Sequence, residues 1–265
     1  MRLHSLPQHV YRFAVQQAYD YRYRRLTQQV VAPEYRRIYH FHIRKTGGTS
    51  INKMFFALSG EDASDVHLQL LRTNPRQIIA GRHVFVGWQQ PLIEKGSYFF
   101  AFSHIPQHQL KLPPDTFTFT CFRDPIKRVI SHYRMLLMIR EKGGEHQCFA
   151  SEGQWLGNSF DEFLERLPRE HLLNQLYMFS KNFQVDEAVE QIERLDHYLF
   201  LDDFDSGIEE LNQAASISLK PLWYKRDAAK FSPTKSSIRK LRTLLSDEYR
   251  LMDLIRNQSS ISKAA

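Results

Sequence analysis

Residues 38 to 58 place a strand, a short basic turn and a helix in direct succession, an order that leaves an anion cradle at the junction. In Ile38-Tyr39-His40-Phe41-His42-Ile43 the period of two puts Tyr39, Phe41 and Ile43 on one face of a strand. After the turn, Ile51, Met54, Phe55 and Leu58 recur at helical spacing. Between them lies Arg44-Lys45-Thr46-Gly47-Gly48-Thr49-Ser50. Gly47 and Gly48 let the backbone turn sharply and approach a ligand, while the first free amides of the helix and its positive dipole end face outward. Thr49 and Ser50 add hydroxyl donors, and Lys45 adds a mobile charge. A phosphate or a sulfate suits such a turn.

Two common nucleotide loops are excluded. A Walker A loop carries its lysine after the last glycine, as G-x-x-x-x-G-K-[ST], whereas Lys45 precedes both glycines and no such run occurs elsewhere. The G-x-G-x-x-G dinucleotide fingerprint is also missing.

A second strand, charged turn and helix run through Phe117-Thr118-Phe119-Thr120-Cys121-Phe122-Arg123-Asp124-Pro125-Ile126-Lys127-Arg128-Val129-Ile130-Ser131-His132-Tyr133. Pro125 suits a first helical turn, where its missing N–H costs nothing, and Asp124 suits an N-cap. Ile126, Val129, Ile130, Tyr133, Leu136 and Leu137 form the apolar stripe, which puts Lys127, Arg128 and Ser131 on the opposite, polar side. Arg123 sits at the strand end.

Together the two segments resemble the sulfotransferases that use 3'-phosphoadenosine 5'-phosphosulfate (PAPS). The first resembles their 5'-phosphosulfate loop. Arg123-Asp124-Pro125-x-x-Arg128-x-x-Ser131-x-Tyr133 resembles their 3'-phosphate motif, in the same order and about 80 residues later. The likeness is to the branch containing the heparan sulfate 2-O- and 6-O-sulfotransferases and bacterial relatives. It runs more thinly through most of the chain after residue 38. Phe102-Ser103-His104-Ile105-Pro106 resembles a G-H-x-P segment with Ser103 in place of glycine, and Asn174-Gln175 through Ser180 resembles a short helical motif of the bacterial members. Tyr224-Lys225-Arg226-Asp227-Ala228-Ala229-Lys230 is similar to a basic loop that closes over the nucleotide, with Asp227 where that loop has threonine.

The resemblance implies PAPS as co-substrate, with Arg44, Lys45, Thr46, Gly47, Gly48, Thr49 and Ser50 on the phosphosulfate. It puts Arg123 and Ser131 on the 3'-phosphate, and Lys225 and Arg226 over the nucleotide. Sulfuryl transfer to an alcohol is governed, like phosphoryl transfer, by in-line positioning and charge stabilisation. A cation near the leaving phosphate is required, a role for Lys45. A base for the acceptor hydroxyl is also required. His104 follows the strand-like Tyr98-Phe99-Phe100-Ala101-Phe102, and its ordinary pKa of about 6.5 suits proton abstraction near neutrality. If these strands are parallel, Lys45, His104 and Arg123 all lie beyond their carboxyl ends, where open α/β sheets bind ligands. His83, His108 and His132 compete for the role of base. His40 and His42 project to one side of their strand, but without a nearby third ligand they read as packed and hydrogen-bonded, and no metal is expected.

A chain of 265 residues without a Pro/Gly/Ser-rich linker or internal repeat can bury one sizeable core. Strand and helix patterns alternate from residue 38 to about residue 139, so the expected fold is α/β, a P-loop-like parallel sheet flanked by helices, with a helix-rich C-terminal half. Helices are expected over Phe160 to Arg166, His171 to Ser180, Asp186 to Leu195 and Asp205 to Ala215, with a strand at His197 to Leu201. A last helix or helix pair begins near a Ser232-Pro233 cap. The expected organisation is a basic, aromatic arm over residues 1–37 and a sulfotransferase domain over residues 38–258.

The net charge of +7 is unevenly spread. Residues 1–37 hold seven arginines against Asp20 and Glu34, and residues 220–256 hold ten Lys/Arg against four Asp/Glu. The arm suits a helix packed on the domain, on a partner subunit or peripherally on an anionic membrane. No nucleic-acid partner is indicated. Cys121 lies in an apolar strand and Cys148 is the only other cysteine, which points to a reducing compartment. With no long apolar run or signal-peptide core, a cytoplasmic protein is expected. The acceptor is a hydroxyl compound, a carbohydrate or another small molecule, and Trp88, Trp155 and Trp223 offer faces for stacking it. Two rivals stand beside this reading. One is an atypical P-loop kinase; the other is a non-catalytic binder of nucleotide or acidic polysaccharide.

Overall fold

A computed structural model describes residues 8–27, 31, 34–222 and 230–264. Its centre is a six-stranded sheet built from β1 (Arg37–Phe41), β2 (Gln77–Ala80), β3 (His83–Gly87), β4 (Phe100–Ser103), β5 (Thr116–Phe122) and β6 (His197–Phe200). The strand order is β2-β3-β4-β1-β5-β6, parallel throughout except for the antiparallel edge pair β2 and β3. This is the α/β sheet that the sequence implied. Strands β4, β1 and β5 lie side by side in the middle, in register from Tyr39 to Ala101 and to Thr118. Their carboxyl ends therefore open on one rim.

Alternation along β1 assigns its side chains to two separate cores. Tyr39, Phe41 and Ile43 are buried on one face with Val86, Ala101 and Phe122. That face is covered by α5 (Pro125–Glu141), α7 (Phe160–Arg166), α10 (Val185–Glu193), α12 (Lys235–Leu244) and α13 (Ser246–Ala264). Ile38 is buried on the other face with Phe85, Phe100, Phe119 and Cys121, under α2 (Gly48–Ala57), α3 (Ala63–Arg72) and α11 (Phe204–Ala215). Each fully buried phenylalanine removes enough apolar surface to contribute about 2–3 kcal/mol. Both faces are covered, as an all-parallel sheet centre requires.

Remaining short helices fill the connections: α4 (Gln90–Lys95), α6 (Gln147–Glu152), α8 (Arg169–Leu172) and α9 (Asn174–Tyr177). The expected single helix from His171 to Ser180 is broken at Leu173, whose φ of −101° and ψ of 46° leave the helical region. The last helix pair is capped by Thr234, one residue beyond the expected Ser232-Pro233 cap, with its Oγ1 accepting from the Ser237 amide at 3.1 Å. Within the leading arm, α1 (Gln8–Thr27) holds the domain through its last turns. The Tyr23 hydroxyl donates to the Ser97 carbonyl at 2.7 Å, and Arg22 donates to the Gly81 carbonyl at 2.6 Å. Among the described residues no helix is long and apolar enough to cross a membrane.

Candidate active site

The first loop leaves β1 through two backbone conformations that resist ordinary side chains. Lys45 has φ of 69° and Gly47 has φ of 89°, both left-handed, and α2 starts immediately afterwards at Gly48. Gly48 is needed for a different reason. A Cβ there would lie 2.0 Å from Cδ2 and 2.1 Å from Nε2 of His42, so the His42 ring occupies the volume of any side chain. The Ser50 amide is bonded to the Gly47 carbonyl at 2.9 Å. The amides of Gly48 and Thr49 precede any intrahelical partner and sit at the positive end of α2.

The side chains of this loop divide by role. Thr46 is buried, and its hydroxyl donates to the Ile43 carbonyl at 2.9 Å, so that side chain braces the turn. Ser50 is buried and Thr49 half-buried. Arg44 forms an ion pair with the buried Glu152, whose other oxygen accepts from His132 Nε2 at 2.7 Å. Burial alone would raise the Glu152 pKa, but the His132 hydrogen bond and the Arg44 charge outweigh it and hold the carboxyl below its ordinary range.

The second loop meets the first directly. Arg123 stands just past β5, and its Nη1 donates to the Lys45 carbonyl at 3.0 Å. Burial lowers its pKa, yet a guanidinium stays charged at neutral pH. Asp115 pairs with Arg36 and Arg37, and Asp124 caps α5 by accepting from the Lys127 amide at 2.8 Å, so neither is spent on an ion pair with Arg123. Pro125 occupies the first helical turn, as read. Ser131 is half-buried, six residues into α5 and so about 9 Å along its axis from Pro125.

Arg128 departs from the expected polar face. It is fully buried, donates to the His171 and Leu172 carbonyls, and lies 3.6 Å from the buried Glu248 of α13. The carbonyls of His171 and Leu172 and Glu248 of α13 enclose this one position, while Lys127 beside it stays exposed. A local pattern of polar residues gives no sign of such a distant cover.

His104 follows β4 at the same rim. Its Nδ1 lies 2.5 Å from the His42 carbonyl oxygen, which can only accept, so Nδ1 carries the proton and Nε2 presents a lone pair. Burial, then the positive charge of Arg44, pushes its pKa down to about 3. Ser103 fits where a glycine was expected because its buried Oγ finds two partners, the Ile105 amide at 3.1 Å and the Tyr39 hydroxyl at 2.7 Å.

The competing histidines are placed differently. His83 opens β3 and so lies at the amino side of the sheet, His108 is exposed, and His132 is bound to Glu152. His40 and His42 stack with ring centroids 5.2 Å apart, and His40 Nδ1 is 2.9 Å from Asn52 Oδ1. Among the described residues no group of three or more His, Cys, Asp or Glu is arranged to hold a metal. Lys225 and Arg226 lie outside the described residues, as does Trp223.

Three further residues position the site. Asn174 and Gln175, noted in the sequence only as part of a motif, accept from the backbone amides of Arg44 and Arg123 at 3.1 and 2.8 Å. Glu152, which orients Arg44, had no sequence signal at all.

Cationic loops, bare helix amides and a neutral imidazole with an available lone pair thus share one rim, a set able to hold a polyanion and remove a proton beside it. A search of curated proteins gives no match. The family model described as the sulfotransferase family matches residues 27–215. That span covers most of the chain, including both anion loops and His104, and the chain belongs to the sulfotransferase family.

Proposed function

We propose that this chain moves a sulfuryl group from PAPS to a hydroxyl of a carbohydrate or another small acceptor. The observation that carries this reading is the hydrogen bond from Arg123 to the Lys45 carbonyl, which makes the two anion loops neighbours at one rim. Two cationic loops fit a nucleotide with phosphates on both sides of its ribose better than a donor with a single phosphate chain. The glycine step at Gly48, closed to any Cβ, puts no side chain between its amide and an approaching anion.

The resemblance and the shared rim together support the following roles. The amides of Gly48 and Thr49 hold the 5'-phosphosulfate, and Lys45 neutralises charge growing on the 5'-phosphate oxygen. Arg123 and Ser131 hold the 3'-phosphate. An acceptor oxygen to sulfur bond forms while the bond from sulfur to the 5'-phosphate oxygen breaks, and the hydroxyl proton passes to Nε2 of His104. His42 fixes that tautomer by accepting from Nδ1. A base depressed this far is weak until negative charge arrives beside it, so bound donor strengthens it. The two free thiols fit a reducing, cytoplasmic setting.

Incubation with radiolabelled PAPS and a panel of acceptor alcohols tests the reading. Transfer should occur, and His104→Ala should abolish it while adenosine 3',5'-bisphosphate still binds. Magnesium-dependent use of ATP with indifference to the 3'-phosphate would instead mark a kinase. A salt-sensitive complex without product from any acceptor would mark a binder.

A further inference from the structure

We infer that Asn174 and Gln175 form a clamp that fixes the spacing between the two anion loops, and with it the spacing between the two ends of a bound nucleotide. The nucleotide part of this inference rests on the proposed function; the clamp itself does not. Asn174 Oδ1 accepts from the Arg44 amide at 3.1 Å, and Gln175 Oε1 accepts from the Arg123 amide at 2.8 Å. These are consecutive residues, with Cα atoms about 3.8 Å apart, so one peptide unit sets the separation of two loops distant in sequence. Arg123 then returns to the Lys45 carbonyl. The result is a closed ring running from Arg44 through Asn174, Gln175, Arg123 and Lys45 back to Arg44.

The clamp cannot turn over. Asn174 Nδ2 donates to the Glu170 carbonyl at 3.0 Å, which fixes its oxygen toward Arg44. Gln175 Nε2 donates to Glu248 Oε2 at 3.3 Å, and the Gln175 amide donates to Glu248 Oε1 at 2.7 Å. Gln175 and Glu248 are both fully buried, and Glu248 is held in turn by Arg128. Burying an amide, a carboxylate and a guanidinium together is a poor source of stability compared with apolar packing. What the arrangement supplies is a fixed direction for two loop amides. Its anchor, Glu248, lies beyond residues 27–215, so the terminal helix pair takes part in shaping the site.

Amide exchange on the full chain, read by mass spectrometry at segments containing Arg44 and Arg123, tests the clamp without any ligand. In Gln175→Leu both segments should exchange about tenfold faster, while β4 is unchanged. Calorimetry adds a second readout. Gln175→Leu should weaken adenosine 3',5'-bisphosphate about tenfold and leave adenosine 5'-monophosphate unaffected, because only the first ligand spans both loops. Asn174→Asp, which keeps the acceptor, should retain slow exchange at Arg44 where Asn174→Ala loses it; this pair decides the matter if Gln175→Leu does not fold. Unchanged exchange at both segments in a folded Gln175→Leu, or equal weakening of both nucleotides, overturns the clamp. If the natural protein gains nothing from the 3'-phosphate, the donor assignment fails, and exchange alone then decides the clamp.

Discussion

The guanidinium of Arg123 reaches the carbonyl oxygen of Lys45, with Nη1 donating across 3.0 Å. This bond ties the end of β5 to a residue in the turn after β1, and that residue has a left-handed backbone with φ of 69°. A non-glycine residue in that region costs roughly 1–2 kcal/mol, so the turn needs an outside restraint, and Arg123 is one. Arginine carries five N–H donors, so restraining Lys45 leaves others in the fork for an anion.

Replacing Arg123 should therefore remove two effects together. Hydrogen bonds to charged groups contribute about 1.5–3 kcal/mol, so Arg123→Ala should weaken adenosine 3',5'-bisphosphate roughly 10- to 100-fold. Arg123→Lys keeps the charge but not the fork, and should fall between the two. Calorimetry decides it, and Arg123→Ala binding as tightly as the natural protein would remove Arg123 from the site.

Gly48 and Gly143 separate steric need from backbone need. A methyl group at Gly48 meets the His42 ring at 2.0 Å, whereas Gly143 has φ of 94° and open space around its Cβ position. Gly48→Ala should cost about 1–3 kcal/mol through forced repacking, and Gly143→Ala about 1 kcal/mol through backbone conformation alone. In a His42→Ala background the Gly48→Ala cost should shrink, since the opposing ring is gone. Urea unfolding of the four combinations measures this coupling. Strictly additive costs would show that His42 is not what excludes a side chain there.

Much of this site was legible because its parts are local. Asp124 and Pro125 are read from neighbours, since a cap and a first-turn proline act within one turn, and both stand where expected. The period of two in β1 sorted Tyr39 and Phe41 from Ile38 correctly, because alternation is a property of the strand itself. Arg128 was misplaced for the opposite reason. Its partner Glu248 is 120 positions away, and nothing near Arg128 signals that a distant helix pair will bury it. Asn174 and Gln175 show the same limit, because an amide that serves loops from two other strands carries no local mark of its partners.

Buried histidines make acid stability predictable. His40 is fully buried, and burial pushes its pKa down to about 4; His171 is pushed to about 4 chiefly by burial and then by the Arg44 charge. In the unfolded chain each returns to about 6.5. Between pH 6.5 and 4 the unfolded chain binds protons that the native chain refuses, so stability is lost as pH falls through that window. His40 alone should account for about 2 kcal/mol between pH 7 and pH 5. Urea titrations at both pH values should show His40→Gln losing less on acidification than the natural protein, whatever its starting stability. An identical loss in both would mean that His40 takes up its proton in the fold at the same pH as in the unfolded chain.

The same electrostatics give His104 a distinctive rate profile. In the free protein, burial and Arg44 hold its pKa near about 3. The acid limb of kcat/KM for the donor reports the free protein, and that of kcat reports the donor-bound complex. A polyanion beside His104 opposes Arg44 and favours the imidazolium, so the acid limb of kcat should stand at higher pH than that of kcat/KM. Arg44→Gln removes the cation and leaves Glu152 to act on the imidazole, so its kcat/KM limb should move upward toward the ordinary histidine range. Initial rates from pH 4.5 to 8.5, taken only where unfolding is absent, should show kcat/KM of the natural protein flat to the lowest pH, with an acid limb entering the range for kcat and for kcat/KM of Arg44→Gln. An acid limb of the natural protein's kcat/KM inside that range and coincident with the limb of kcat would place the proton on some group other than His104.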